Sequence, residues 1–152
     1  MKVIVSYPSK KEEQLIIRNH MNGIKLPELQ QVVSMHEILE ARDLTRNIYM
    51  DEKLENYILD IVFATRNPEN YRLDKLKPLI SYGGSPRASI NLALAAKANA
   101  FLNKRGYVIP EDVRSISKDV LRHRIGLTYE AEAENVNADW VVDEVLRAIP
   151  VP

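Results

Sequence analysis

One stretch limits what this 152-residue chain can fold into more than any other: Tyr82-Gly83-Gly84-Ser85-Pro86-Arg87-Ala88, continuing through an alanine-rich segment to Gly106. Two adjacent glycines free the backbone for a turn. Ser85 is a favoured N-cap, and Pro86 suits the first helical position. Ala88 to Leu102 is mostly Ala, Leu, Ile and Asn, and Ala is the strongest helix former. Lys104 and Arg105 suit a last turn, and Gly106 suits the residue just past it. The pattern predicts a helix from about Ser85 to Arg105. Its alanines (Ala93, Ala95, Ala96, Ala98, Ala100) let neighbouring helices approach closely.

Arg87 is out of place in that helix. The first turn carries the positive end of the helix dipole, so a cation there is mildly unfavourable, by roughly 0.3–1 kcal/mol. The next predicted helix opens Pro110-Glu111-Asp112, with acids where the dipole prefers them. A bound anion would explain Arg87, because free N–H groups and a guanidinium would then face the same phosphate. A solvated Arg87, or one paired with a nearby carboxylate, explains it equally simply. Spacing alone favours this plainer reading.

Lys2 to Tyr7 alternates like a short strand; a lone strand needs a ladder partner, so this one is expected to be displaced, re-paired or propped against a neighbour. Ser9-Lys10-Lys11-Glu12 and Ser34-Met35-His36-Glu37 are capping boxes that open two helices. The first of these ends around Asn22-Gly23, the second near Arg46, and residues 24–33 between them read as a loop. Asp51 caps a third helix, in which Leu54, Tyr57, Ile58, Ile61, Val62 and Thr65 form one amphipathic stripe. Asn67-Pro68 ends it, and Asn67 to Ile80 reads as a loop. Pro110 opens a helix with Val113, Ile116, Val120 and Leu121 on one face. Leu127 to Asn137 is acidic and ambiguous between short strand, helix and loose chain. Asn137 or Asp139 caps a final helix containing Trp140, Val141, Val145 and Leu146. The predicted fold is mainly α: a helical bundle with a short N-terminal strand.

Composition excludes several classes. Formal net charge is zero, which argues against a nucleic-acid binder relying on bulk positive charge. With no cysteine, disulfides and thiolate metal sites are impossible, and the absence agrees with a reducing compartment. No apolar run approaches the ~18 residues of a membrane span, and the N-terminus lacks a signal-peptide layout. His20 and His36 have no second ligand at metal spacing.

GGSPRA with its long Ala-rich helix resembles the sensor 2 segment of the MoxR family of AAA+ ATPases. The resemblance extends over nearly the whole chain. MKVIVSYPSKKEE resembles the last strand of the family's core and the exit into its lid, and TRNIYMDEKLENYILDIVFATR resembles the middle lid helices. RGYVIPEDVRSISKDVLRHRI and DWVVDEVLRAIPVP resemble the segments that follow sensor 2. The resemblance implies a C-terminal AAA+ lid over residues 9–152, with residues 1–8 left from the core strand. It implies that Arg87 reaches the γ-phosphate of ATP held by the core, with Gly83, Gly84, Ser85 and Pro86 forming the nucleotide-side loop. It further implies ATP and Mg as ligands of the intact protein, a hexameric ring of neighbouring subunits, an unidentified client protein and a cytoplasmic location. No G-x-x-x-x-G-K-[ST] phosphate cradle occurs in the sequence, nor a Walker B-like acidic strand end. The chain alone is therefore expected neither to bind nor to hydrolyse ATP.

Two other readings remain open. A stand-alone helical interaction module predicts that Arg87 is paired internally and that an apolar patch is exposed elsewhere. A helix-turn-helix reader built on Pro110 to Arg124 is disfavoured by neutrality and by Glu111 and Asp112 at its leading end. Arg122-His123-Arg124 reads as a cation-stabilised helix end or as a second basic cluster facing a phosphate or subunit, with the first favoured. Arg66 is a C-terminal cation by position and an interface residue by resemblance. Tyr82 reads as loop packing rather than ligand stacking, Trp140 as core, and Glu130 to Glu134 as a solvated face.

Overall fold

The computed structural model describes residues 1–22 and 28–152. Gly23 at the predicted end of the first helix, and residues 24–27 of the predicted loop, lie outside the described residues. Described residues form seven α-helices: α1 (Lys10–Met21), α2 (Met35–Arg46), α3 (Glu52–Arg66), α4 (Pro86–Leu102), α5 (Pro110–Leu121), α6 (Tyr129–Ala133) and α7 (Ala138–Ala148). Two strands, β1 (Ile80–Tyr82) and β2 (Gly126–Leu127), pair antiparallel with Ile80 opposite Leu127 and Tyr82 opposite Gly126. The fold is mainly α, as the periodicity predicts.

Helices α3, α4, α5 and α7 enclose the core. The whole predicted stripe of α3, from Leu54 to Thr65, is buried. On α4 the buried residues are Ala88, Leu92, Ala96 and Ala100, spaced by four, so three small side chains bring the neighbouring helices close. Ala93, Ala95 and Ala98 are half-buried on its flanks. Val113, Ile116, Val120 and Leu121 of α5, and Val141, Val142, Val145 and Leu146 of α7, complete the core.

The predicted N-terminal strand is not formed. Residues 1–9 adopt no regular structure, and Val3, Ile4, Val5 and Tyr7 are exposed. No strand among the described residues offers their backbone a ladder. Only Lys2 is anchored: its N–H donates to the Asp119 carbonyl (2.7 Å), and its carbonyl accepts from Arg122 Nη1 (2.7 Å). Both capping boxes form as predicted, yet neither α1 nor α2 buries a residue. Leu15, Ile16 and Ile17 on α1 remain about half exposed.

The predicted loop from Asn67 to Ile80 holds two 3₁₀ turns, Pro68–Tyr71 and Asp74–Leu79, which bury Leu76 and Leu79. Of the options for the segment after Leu127, the helical one is realised by α6, capped by Thr128. Asn137 caps α7, its Oδ1 accepting from the Trp140 N–H at 2.9 Å. Trp140 itself departs from the core expectation: it is 37% exposed at the third position past the cap, with Lys75 Nζ 5.7 Å from its ring centre.

Helix α4 is shorter than predicted. It ends at Leu102, and Lys104 adopts the left-handed conformation (φ 58°) assigned by spacing to Gly106. The Lys104 N–H donates to the Phe101 carbonyl (2.8 Å) and the Arg105 N–H to the Ala100 carbonyl (3.0 Å). These two bonds are the Schellman pattern, here closed by lysine. Gly106 instead accepts from the Tyr49 N–H at 3.0 Å in a short bridge.

Candidate functional site

The Gly83–Arg87 loop is pinned to the C-terminal end of α3. Thr65, the one polar member of the buried α3 stripe, accepts the Gly84 N–H on Oγ1 at 2.9 Å. The same hydroxyl donates to the Val62 carbonyl at 2.6 Å, so its one proton is engaged as well. The next residue, Arg66, donates from Nε to the Gly84 carbonyl, and its guanidinium carbon sits 4.6 Å over the Phe63 ring. Both backbone groups of Gly84 are thus held by consecutive side chains of one helix.

The two glycines are explained by this contact. A Cβ on Gly83 would lie 2.4 Å from the Thr65 carbonyl oxygen and 2.7 Å from the Arg66 nitrogen. On Gly84 it would lie 3.0 Å from Ala88 Cβ and 3.3 Å from Val62 Cγ1. Their missing side chains let the loop approach α3. Tyr82, beside them, packs over Gly126: a Cβ there would fall 2.1 Å from the ring. That matches the loop-packing reading.

Ser85 takes the N-cap position of α4, but its hydroxyl makes no capping bond, and the first turn holds no acid. The first turn of every other α-helix among the described residues has a capping side chain, an acid or both. Arg87 is exposed and makes no ion pair among the described residues. The internal pairing expected of a stand-alone module is therefore not found. Ser85, Pro86 and Arg87 are brought to one exposed helix start, with Gly83 and Gly84 turned inward behind them. Such a start suits an anion: uncapped backbone, the positive dipole end and an unneutralised guanidinium coincide.

Several other basic residues are committed to the fold. Arg105 grips Asp112 through two nitrogens at 2.5 and 2.6 Å, and Asp112 also accepts from Asn99 Nδ2 (2.8 Å) and the Ile109 N–H (2.9 Å). Arg122 bonds Asp139, Asp119 and the Lys2 carbonyl, so it ties the N-terminal segment, α5 and α7 together. Burial, and then the charges of Arg124, the N-terminus, Lys2 and Arg122, hold His123 below the ordinary histidine value. Sequence reasoning missed the roles of Thr65, Asn99 and Asp112. The signal for Thr65 was present, since a hydroxyl on an apolar helix face must find a partner.

Comparison with known proteins gives the class to which this arrangement of helices belongs. The AAA lid domain family matches residues 75–145. Over 151 residues the chain is 37% identical to the protein named Chaperone MoxR1 of Mycobacterium tuberculosis, covering 99% of this chain and 40% of that one. Protein MoxR of Paracoccus denitrificans is 30% identical over 165 residues, covering 100% of this chain and 48% of that protein. A crystal structure of an ATPase candidate from Cytophaga hutchinsonii superposes with a TM-score of 0.93 at 40% identity, over 100% of this chain and 46% of the other. The chain belongs to the AAA lid domains of MoxR type. It spans less than half the length of each of these relatives. No helix among the described residues is long and apolar enough to cross a membrane.

Proposed function

We propose that this lid senses the nucleotide held by an AAA+ core, with Arg87 as the sensor 2 arginine contacting the γ-phosphate of ATP. The observation that carries this reading is the exposed, unpaired guanidinium of Arg87 on a helix start that has neither cap nor acid. A phosphate there gains the dipole, the free N–H groups and the cation together. In the intact protein ATP and its Mg ion sit mainly on the core, and Arg87 adds positive charge where it develops on the transferring phosphoryl group. Hydrolysis then changes the lid–core angle, because the contact is lost with the γ-phosphate.

Residues 1–8 belong to the core's last strand in this account. Their exposed Val3, Ile4, Val5 and Tyr7, together with the half-exposed apolar side chains of α1, supply the surface that the core covers. The intact protein is a cytoplasmic, ring-forming, chaperone-like ATPase that acts on a client protein, with the lid contacting its own core and the neighbouring subunit in a hexamer.

The test is discrimination between nucleotides by the intact ATPase, lid and core together. Arg87→Ala should weaken binding of ATP about tenfold and leave ADP within twofold, since only ATP presents the γ-phosphate. Equal affinities of wild type and variant for ATP would contradict the assignment.

A further inference from the structure

Thr65 and Arg66 hold the short loop between β1 and the core-packed α4. The N–H and C=O of Gly84 point at successive residues of α3, and each finds a side-chain partner there. Arg87 begins three residues later, inside the first turn of α4. The position of its backbone relative to α3 is therefore set by the core packing of Ala88 and Leu92, by two hydrogen bonds and by the close approach of Gly83 to the Thr65 carbonyl. Arg66 spends its Nε on a neutral carbonyl rather than a carboxylate, with its guanidinium carbon over the Phe63 ring. A helix-end cation with no positioning task could equally well remain solvated, as Arg18 does at the end of α1.

We propose that Thr65 and Arg66 are positioning residues for Arg87: they clamp Gly84 so that α3 and the start of α4 move as one body when nucleotide is bound or lost. This rests on the sensor reading of Arg87. Without the clamp the loop gains conformations in which the guanidinium misses the phosphate, and a displacement on the order of 1 Å is enough to cost a large factor in rate. Neither residue is assigned a contact with nucleotide; both act through the backbone of Gly84.

The clamp is tested first in the 152-residue chain without nucleotide, by amide hydrogen exchange at Gly84. Thr65→Val removes the acceptor at nearly constant volume and should speed exchange of this amide at least tenfold, with the cores of α3 and α4 unchanged. Thr65→Ser keeps the hydroxyl and should restore slow exchange. Uniform acceleration across both helices would mean that Thr65 only supports the fold, and would overturn the proposal.

The link to Arg87 is tested by ATP turnover in the intact ATPase, through a double-mutant cycle. Arg66→Met and Thr65→Val should each lower kcat about tenfold, with KM for ATP within threefold. In an Arg87→Ala background the same substitutions should lower kcat less than twofold further, because the group they position is gone. Equal losses in both backgrounds would overturn the clamp and leave the sensor reading standing. So would unchanged turnover in Arg66→Met beside a loss in Arg87→Ala. An Arg87→Ala protein with normal turnover would instead remove the sensor reading itself, and the clamp's functional role with it.

Discussion

Arg105 and Asp112 meet fork to fork across the α4–α5 connection, and Asp112 is only 1% exposed on its side chain. Asp112 accepts four hydrogen bonds, from Arg105 twice, Asn99 and the Ile109 N–H. The C-terminal end of α4 and the start of α5 are therefore joined by one buried carboxylate. Asp112→Ala strands the Arg105 guanidinium, Asn99 and an N–H, and should lower the stability of the chain by about 3 kcal/mol. Urea unfolding followed by circular dichroism measures it. A loss below about 1 kcal/mol would mean that water replaces the carboxylate at little cost.

The same carboxylate makes stability depend on acid. Burial opposes its ionisation, but the hydrogen bonds from Arg105, Ile109 and Asn99 outweigh burial and hold it below the ordinary aspartate value. A carboxyl with a depressed folded value stabilises the fold fully above its unfolded value of about 3.9, and less as pH falls through the folded one. Wild-type Tm should therefore drop steeply below about pH 4. In Asp112→Asn, which starts from a lower Tm at neutral pH, this acid limb should be flatter. Parallel limbs in the two proteins would contradict the assignment of the effect to Asp112.

Lys104 closes α4 in a conformation that favours glycine. Lys104→Gly removes the Cβ conflict and should raise stability by about 1 kcal/mol despite the added freedom of the unfolded chain. Gly106 has no left-handed φ, and a Cβ there meets nothing within 4 Å. Gly106→Ala should be neutral or slightly stabilising. Thermal melts of the two variants decide between Lys104 and Gly106 as the helix-ending residue.

Gly83→Ala drives a methyl into the backbone of Thr65 and Arg66, which cannot swing aside. A loss of about 2 kcal/mol is expected, with faster exchange at Gly84. In Gly126→Ala the nearest atoms met belong to the Tyr82 ring, on a side chain 64% exposed that can turn aside, so its cost should be smaller. The ratio of the two losses in urea unfolding is the check.

Much of this was legible in the chain because its causes are local. Reciprocal capping boxes fix the starts of α1 and α2, and a period of 3.6 marks six of the seven buried positions of α3, all but Ala64. The start of α4 was legible from Ser85-Pro86, and Arg87 stood out there as an unexpected cation. What was not legible is non-local. Asp112 reads as a helix-dipole acid until Arg105 and Asn99 are folded against it. Gly83 and Gly84 read as a free turn, and the close approach of α3 behind them is visible only in the fold. The strand-like alternation of Lys2 to Tyr7 states a preference but cannot supply a partner, and the backbone there pairs only at Lys2. Lys104 takes the left-handed place from Gly106 because the Schellman bonds, rather than the residue preference, fix where α4 stops.

The most direct measurement of the central claim is steady-state ATP turnover of the intact ATPase with Arg87 and with Arg87→Ala, at saturating ATP. The account predicts at least a tenfold lower kcat in the variant, equivalent to about 1.4 kcal/mol of lost transition-state stabilisation, with the lid still folded by circular dichroism. Turnover equal to wild type would leave Arg87 a solvated surface residue and would contradict a sensing role for this helix start.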